Sequence, residues 1–168
     1  MSRAQRAAPI FCLPDGIAPW SAQPADWLRT FAADMFGYDT RIAADVTDTL
    51  RLDELGSQPI GTLSKGQCKR LLLSTALLSS RPIVVLDEPF DGLDLRMTRA
   101  TIALLRRAAA LGRAFVIAIH AMSDAERVAD RLVLLSDGRT IGDGTLEQLR
   151  ARASLPGASL EEVFLALS

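Results

Sequence analysis

The chain has one histidine and two cysteines in 168 residues. Neither Cys12 nor Cys68 has a neighbour at metal-ligand spacing. That excludes a Cys/His zinc module and points to a reduced, cytosolic protein. Neither sign of charge is in excess: 19 Lys+Arg against 20 Asp+Glu leave a formal net charge of -1. The overall balance therefore names no nucleic-acid or membrane-surface partner. No apolar run approaches the ~20 residues that cross a bilayer, and the apolar part of residues 1–14 is too short for a signal peptide. Any membrane association has to come through a partner. Lysine is nearly absent, since Lys65 and Lys69 are the only two. What remains, with 49% hydrophobic and 23% charged residues, is ordinary globular material, long enough for one domain with a real core.

The chain is organised around Ile83-Val84-Val85-Leu86-Asp87-Glu88-Pro89, a β-branched run that ends in two adjacent carboxylates. Such runs read as parallel strands buried on both faces, and ligands of parallel sheets gather at the carboxyl ends of their strands. Asp87 can hold a hard Mg²⁺ through oxygen, while Glu88, pointing the other way, can orient or deprotonate an attacking water. An isolated Asp-Glu pair would read as two solvated acids, so the surrounding residues decide.

Pro9-Ile10-Phe11-Cys12-Leu13 is a short strand candidate. Trp27, Leu28, Phe31, Ala32, Met35 and Phe36 recur at helical spacing and stop at Gly37, and Ile42, Val46 and Leu50 repeat the period. Their apolar stripes read as packing faces. Thr62-Leu63-Ser64-Lys65-Gly66-Gln67 opens a helix whose body, Leu71 to Leu78, is too continuously apolar for the surface. Ser64 can cap it and Gly66 admits close approach of the backbone, so its positive end is a candidate anion site. The same residues also read as an ordinary serine cap with a chance glycine.

Beyond Asp94 a helix to about Gly112 leads to a second buried strand, Ala114 to Ile119, with His120 at its end. Strand, helix and strand form a right-handed crossover, which places His120 near Asp87 and Glu88. Ser123-Asp124-Ala125-Glu126 reads as a capping box, Asp137-Gly138 as a type I′ hairpin turn, and Thr145 to Gln148 as another capped helix start.

Taken in order, Leu63-Ser64-Lys65-Gly66-Gln67, Leu86-Asp87-Glu88-Pro89, Gly92-Leu93-Asp94 and His120 resemble the signature motif, Walker B strand, D-loop and switch histidine of ATP-binding cassette (ABC) nucleotide-binding domains. The resemblance implies an α/β fold: an incomplete P-loop NTPase-type parallel sheet flanked by helices, with a helical insert at about 16–62, a catalytic core at 63–150 and a helical tail at 151–168. It implies ATP and Mg²⁺. Ser64, Lys65, Gly66 and Gln67 would meet the γ-phosphate of a nucleotide held by a second nucleotide-binding subunit, with Asp94 communicating across that dimer. Asp87 would hold Mg²⁺, Glu88 would be the general base and His120 would sense the γ-phosphate. Asp15 stands where the family has its Q-loop glutamine and is the other candidate contact to Mg²⁺. Transmembrane permease subunits would dock on the helical insert and hold the protein at the inner face of the cell membrane. A tail like Leu160-Glu161-Glu162-Val163-Phe164-Leu165 resembles cassettes of exporter type. Without a long heptad region, a DNA-repair ATPase is the weaker resemblance.

The sequence has no GxxxxGK[ST] loop. That loop supplies the backbone nest and lysine that hold the phosphates, so the chain alone is expected to bind ATP poorly. Asp87, Glu88 and His120 are nevertheless chemically competent, which favours a cassette whose N-terminal part is missing. The alternative is a non-catalytic partner that lends only its signature motif to an intact cassette. In either case apolar edges and faces of the remaining strands are expected to be uncovered.

Overall fold

The computed structural model describes residues 9–168. Two compact units divide between Ala118 and Ile119. The first contains β1 (Ile10–Leu13), α1 (Ala25–Phe36), α2 (Ala43–Leu50), α3 (Lys65–Leu78), β2 (Ile83–Asp87), α4 (Leu95–Ala110) and β3 (Ala114–Ala118). Its three strands are all parallel, in the order β1-β2-β3. The result is a mixed α/β unit with a parallel sheet flanked by helices, as the strand and helix spacing predicts.

The register explains which side chains make the core. Leu13 pairs with Leu86 and Leu86 with Ile117, while Cys12 pairs with Val85 and Val85 with Val116. Alternate rows face opposite sides of the sheet. Phe11, Leu13, Val84 and Leu86 are buried, but Cys12 is exposed and Val116 is 60% exposed. The reading of β2 and β3 as buried on both faces is therefore corrected, while the expected uncovered apolar face is present: one face is closed and the other carries an open apolar row. An apolar run is compatible with either arrangement, because periodicity does not register how many layers cover it.

Helix α3 is the hub of the closed face. Leu71, Leu73, Ala76 and Leu77 are fully buried, each leucine contributing roughly 1.5–3 kcal/mol of burial. Its carboxyl end, where carbonyls lack helical partners, is satisfied from a distance. The buried Arg113 donates from Nη2 to the Ala76 carbonyl at 2.9 Å and from Nη1 to the Leu77 carbonyl, and from Nε to the Arg81 carbonyl at 3.3 Å. Helix α1 ends at Gly37, at φ 76°, as the sequence predicts. Its apolar stripe is wider than its buried face: Leu28 and Ala32 are buried, whereas Trp27 and Phe31 stack on each other at 5.2 Å beneath an exposed Trp20.

The second unit contains α5 (Met122–Val128), β4 (Leu132–Ser136), β5 (Arg139–Gly144), α6 (Leu146–Ala153) and α7 (Leu160–Leu167). Leu132, Leu134, Leu149, Leu160 and Val163 form its core. Strands β4 and β5 are an antiparallel hairpin whose turn residues Asp137 and Gly138 have φ 48° and 73°, the positive values a type I′ turn requires. The expected capping box at Ser123 does not form, since α5 starts two residues earlier, on an Ala121 N-cap with no side-chain cap. Glu126 is used otherwise: it pairs with Arg150 at 3.3 Å and accepts from the Leu160 N–H at 3.3 Å. Tertiary partners for that carboxylate outcompete the local bond. Among the described residues no helix is long and apolar enough to cross a membrane.

Candidate functional site

The N-terminus of α3 is built as its sequence suggests, with one addition. Ser64 Oγ accepts from the Gln67 N–H at 3.2 Å, and Gln67 Oε1 accepts from the Ser64 N–H at 2.8 Å, a complete capping box. The two side chains fix each other and still leave the serine hydroxyl hydrogen and the glutamine Nε2 as donors. A cavity of about 210 Å³ opens in front of them, lined by Arg51, Ser64, Gly66, Gln67, Arg70 and Asp94 among others. Both guanidiniums are paired with Glu54, Arg51 at 3.7 Å and Arg70 at 3.1 Å, and Asp94 adds a carboxylate, so the positive end of the 14-residue helix is what favours an anion there. Arg51 stands in the left-handed conformation at φ 50°, and the buried Arg70 donates from Nη1 to the Leu50 carbonyl at 3.0 Å and to Glu54 at 3.1 Å. The sequence reading assigned neither arginine a role. Arg51 has no local signal, because its cavity exists only once α2 and α3 are packed.

Gly66 is required by a close approach within the chain itself. A Cβ there would lie 2.8 Å from the Gly92 carbonyl oxygen. Gly66→Ala should force the Gly92 turn away from α3 and destabilise this unit by about 1–3 kcal/mol, the usual cost of overpacking, read as a lowered urea midpoint. The side chain of Asp94 is the N-cap of α4, accepting from the Met97 N–H at 2.7 Å. Asp94→Ala should cost about 1 kcal/mol in the same measurement.

Lys65, expected near the phosphate, is ion-paired to Asp91 at 2.8 Å. Their shared hydrogen bond lowers the Asp91 carboxyl below its ordinary range and raises the Lys65 ammonium above its own. Lys69 makes the equivalent reach to Asp15 at 3.0 Å. That hydrogen bond, followed by one from the Gly16 N–H, lowers the Asp15 carboxyl below its usual range.

The acidic pair lies where the strand ends. Asp87 closes β2, is exposed, and accepts on Oδ2 from the Asp15 N–H at 3.4 Å. Glu88 then turns sharply at φ 45°, a region that costs a non-glycine residue on the order of 1–3 kcal/mol. Its N–H donates to the Ala118 carbonyl at 3.0 Å, and its own carbonyl accepts from Lys69 Nζ at 2.9 Å. Ser64, Gly66, Gln67, Asp87, Glu88, Asp94, Asp15 and both lysines all belong to the first unit. His120 belongs to the second, exposed and two residues past the end of β3.

No group of three potential metal ligands exists among the described residues. The donors at the end of β2 are all oxygen, which suits Mg²⁺ carried largely by substrate phosphates with one or two carboxylates from the protein. The cavity at the N-terminal end of α3 suits the phosphates themselves. Both donor sets therefore fit a magnesium–triphosphate.

The first unit is thus a parallel-sheet α/β fold with a polar cavity at a helix tip and paired acids at a strand tip. Residues 16–91 match the family model for ABC transporters. The thiamine import ATP-binding protein ThiQ of Jannaschia sp. is 33% identical over 119 residues, 70% of this chain and 52% of that one. The molybdenum import ATP-binding protein ModC of Rhodobacter capsulatus is 36% identical over 133 residues, 74% of this chain and 36% of that one. The Nod factor export ATP-binding protein I of Burkholderia orbicola is 35% identical over 103 residues, 61% and 34%. A solved ATP-binding subunit of an ABC transporter superposes with a TM-score of 0.85 at 26% identity, covering 95% of this chain and 68% of that one. The chain belongs to the ABC transporter ATP-binding family. It spans about half the length, or less, of these curated relatives.

Proposed function

We propose that this chain is part of the ATP-binding, ATP-hydrolysing machinery of an ABC transporter. The observation that carries this reading is the pairing, within one unit, of the cavity at the α3 tip with the Asp87-Glu88 edge at the end of β2. The serine hydroxyl of Ser64, the backbone around Gly66 and Nε2 of Gln67 would donate to the γ-phosphate of a nucleotide cradled by a second nucleotide-binding subunit. Arg51 and Arg70, both paired with Glu54, would line that cavity. At the other edge Glu88 would accept the proton of the attacking water, and Asp87 would hold the Mg²⁺ that neutralises phosphate charge. His120 would contact the γ-phosphate, and Asp94 would relay between the two subunits.

The helical part at 16–62 would receive permease subunits, which would keep the protein on the cytoplasmic face of the membrane. Nucleic acid has no place in this reading. The direction we favour is export, on the tail Leu160 to Leu165 and on relatives named for Nod factor export; relatives named for thiamine, molybdenum and hemin import make import the other outcome of a transport assay.

The test is ATP hydrolysis by the full chain mixed with a cassette subunit that carries a GxxxxGK[ST] loop. Ser64→Ala should reduce turnover by about 10²-fold, the cost of one lost donor to developing charge. A mixture no more active than the partner alone refutes the proposal. A Ser64-dependent activity that ignores Glu88→Gln selects the second reading, in which the chain lends only its signature helix.

A further inference from the structure

The chain's two lysines stand one helical turn apart on α3, and each reaches an acid on another segment. Lys65 serves one pair, with Asp91 at 2.8 Å. Lys69 joins three segments: its Nζ lies 3.0 Å from Asp15 Oδ1 in the loop after β1 and 2.9 Å from the carbonyl oxygen of Glu88, the residue that follows β2. Its side chain is only 11% exposed, so the ammonium is held between its acceptors and mostly away from solvent. The Asp15 N–H closes the circuit on Asp87 Oδ2 at 3.4 Å.

Glu88 needs such support. Its left-handed backbone at φ 45° is unfavourable for a side-chain-bearing residue and persists where its surroundings over-determine it. Three bonds to its main chain contribute: the N–H to the Ala118 carbonyl, the Asp91 N–H to the Glu88 carbonyl at 3.3 Å, and the Lys69 ammonium on that same carbonyl. Only the third is charge-assisted, and only it comes from α3. A lysine has three donors on a compact head and can serve a carboxylate and a carbonyl from different directions.

We propose that Lys69 is the positioning residue of the acidic edge. Its ammonium holds the Glu88 main chain in its strained turn and pins the Asp15 loop beside Asp87, so that Asp15 is a loop anchor. The helix whose tip opens on the anion cavity is thereby tied mechanically to the residue that handles the water. The role assigned to Glu88 rests on the proposed function; the positioning itself does not.

The experiment compares wild type, Lys69→Met and Lys69→Arg in the full chain. Amide hydrogen exchange comes first and needs no nucleotide. Lys69→Met should speed exchange at the Asp15 and Asp91 amides on the order of tenfold and leave the α3 amides Leu73 to Leu77 unchanged, while Lys69→Arg stays within about twofold of wild type. In the ATPase mixture, Lys69→Met should lower kcat on the order of tenfold or more with KM for ATP unchanged, and Lys69→Arg should restore most of it. Unchanged exchange at Asp15 and Asp91 in Lys69→Met overturns the proposal, as does an undiminished kcat in a mixture whose turnover Glu88→Gln abolishes. If the wild-type mixture is inactive, the proposed function fails and the exchange data alone decide for or against the positioning role.

Discussion

Glu88→Gln should lower ATP turnover in the mixture with a GxxxxGK[ST]-bearing cassette by about 10²- to 10⁴-fold, the range for removing a general base, where that turnover runs through this chain's own acidic edge; where the chain lends only its signature helix, turnover should not change. The substitution keeps shape and removes only the capacity to accept a proton. The main chain of residue 88 is held by its N–H on the Ala118 carbonyl and by the Asp91 N–H and Lys69 on its own carbonyl. These bonds survive the change, so the melting midpoint should move by little, and the loss should appear in kcat with KM for ATP intact. Steady-state hydrolysis alongside a thermal melt separates this outcome from misfolding. Equal turnover by the wild type and Glu88→Gln removes Glu88 from the chemistry and leaves Ser64, Gly66 and Gln67 as the chain's contribution.

Arg113→Met should be the most destabilising single change in the first unit, at about 3–5 kcal/mol, because it removes one partner from several buried groups at once. Arg113 reaches the Ala76, Leu77 and Arg81 carbonyls and Ser79 Oγ, and closes the carboxyl end of α3. Its burial lowers the guanidinium's proton affinity, yet the carbonyls and the favourable end of the helix dipole hold the charge in place. Methionine fills the volume and satisfies none of those oxygens. The urea unfolding midpoint, read on the full chain by far-ultraviolet circular dichroism, tests this. A fall of less than about 1 kcal/mol would mean that water reaches those carbonyls and that the cluster is not structurally required.

The order of elements was legible because their signals are local. Gly37 stops α1, Ser64 starts α3, and Asp137-Gly138 turns the hairpin, each through its own backbone preference. The same locality misled at Ser123, where the S-x-x-E spacing is present but Glu126 is recruited by Arg150 and the Leu160 N–H from elements 24 and 34 residues away. Burial was overestimated for β3 because Phe115-Val116-Ile117 reads the same whether one face of a sheet is covered or both.

By itself the sequence determined that helix and strand alternate here, that a capped, glycine-bearing helix start precedes a strand ending in two acids, and that nothing resembling a phosphate-cradling loop accompanies them. Those are properties of residue type and spacing. Only the tertiary structure decided which groups meet. It set Gly66 against the Gly92 carbonyl, brought Arg51 and Arg70 to the cavity, sent Lys65 to Asp91, and gave Lys69 both Asp15 and the Glu88 carbonyl. Contacts spanning 19 to 54 residues have no periodicity to announce them, because they are fixed by how helices pack on a sheet.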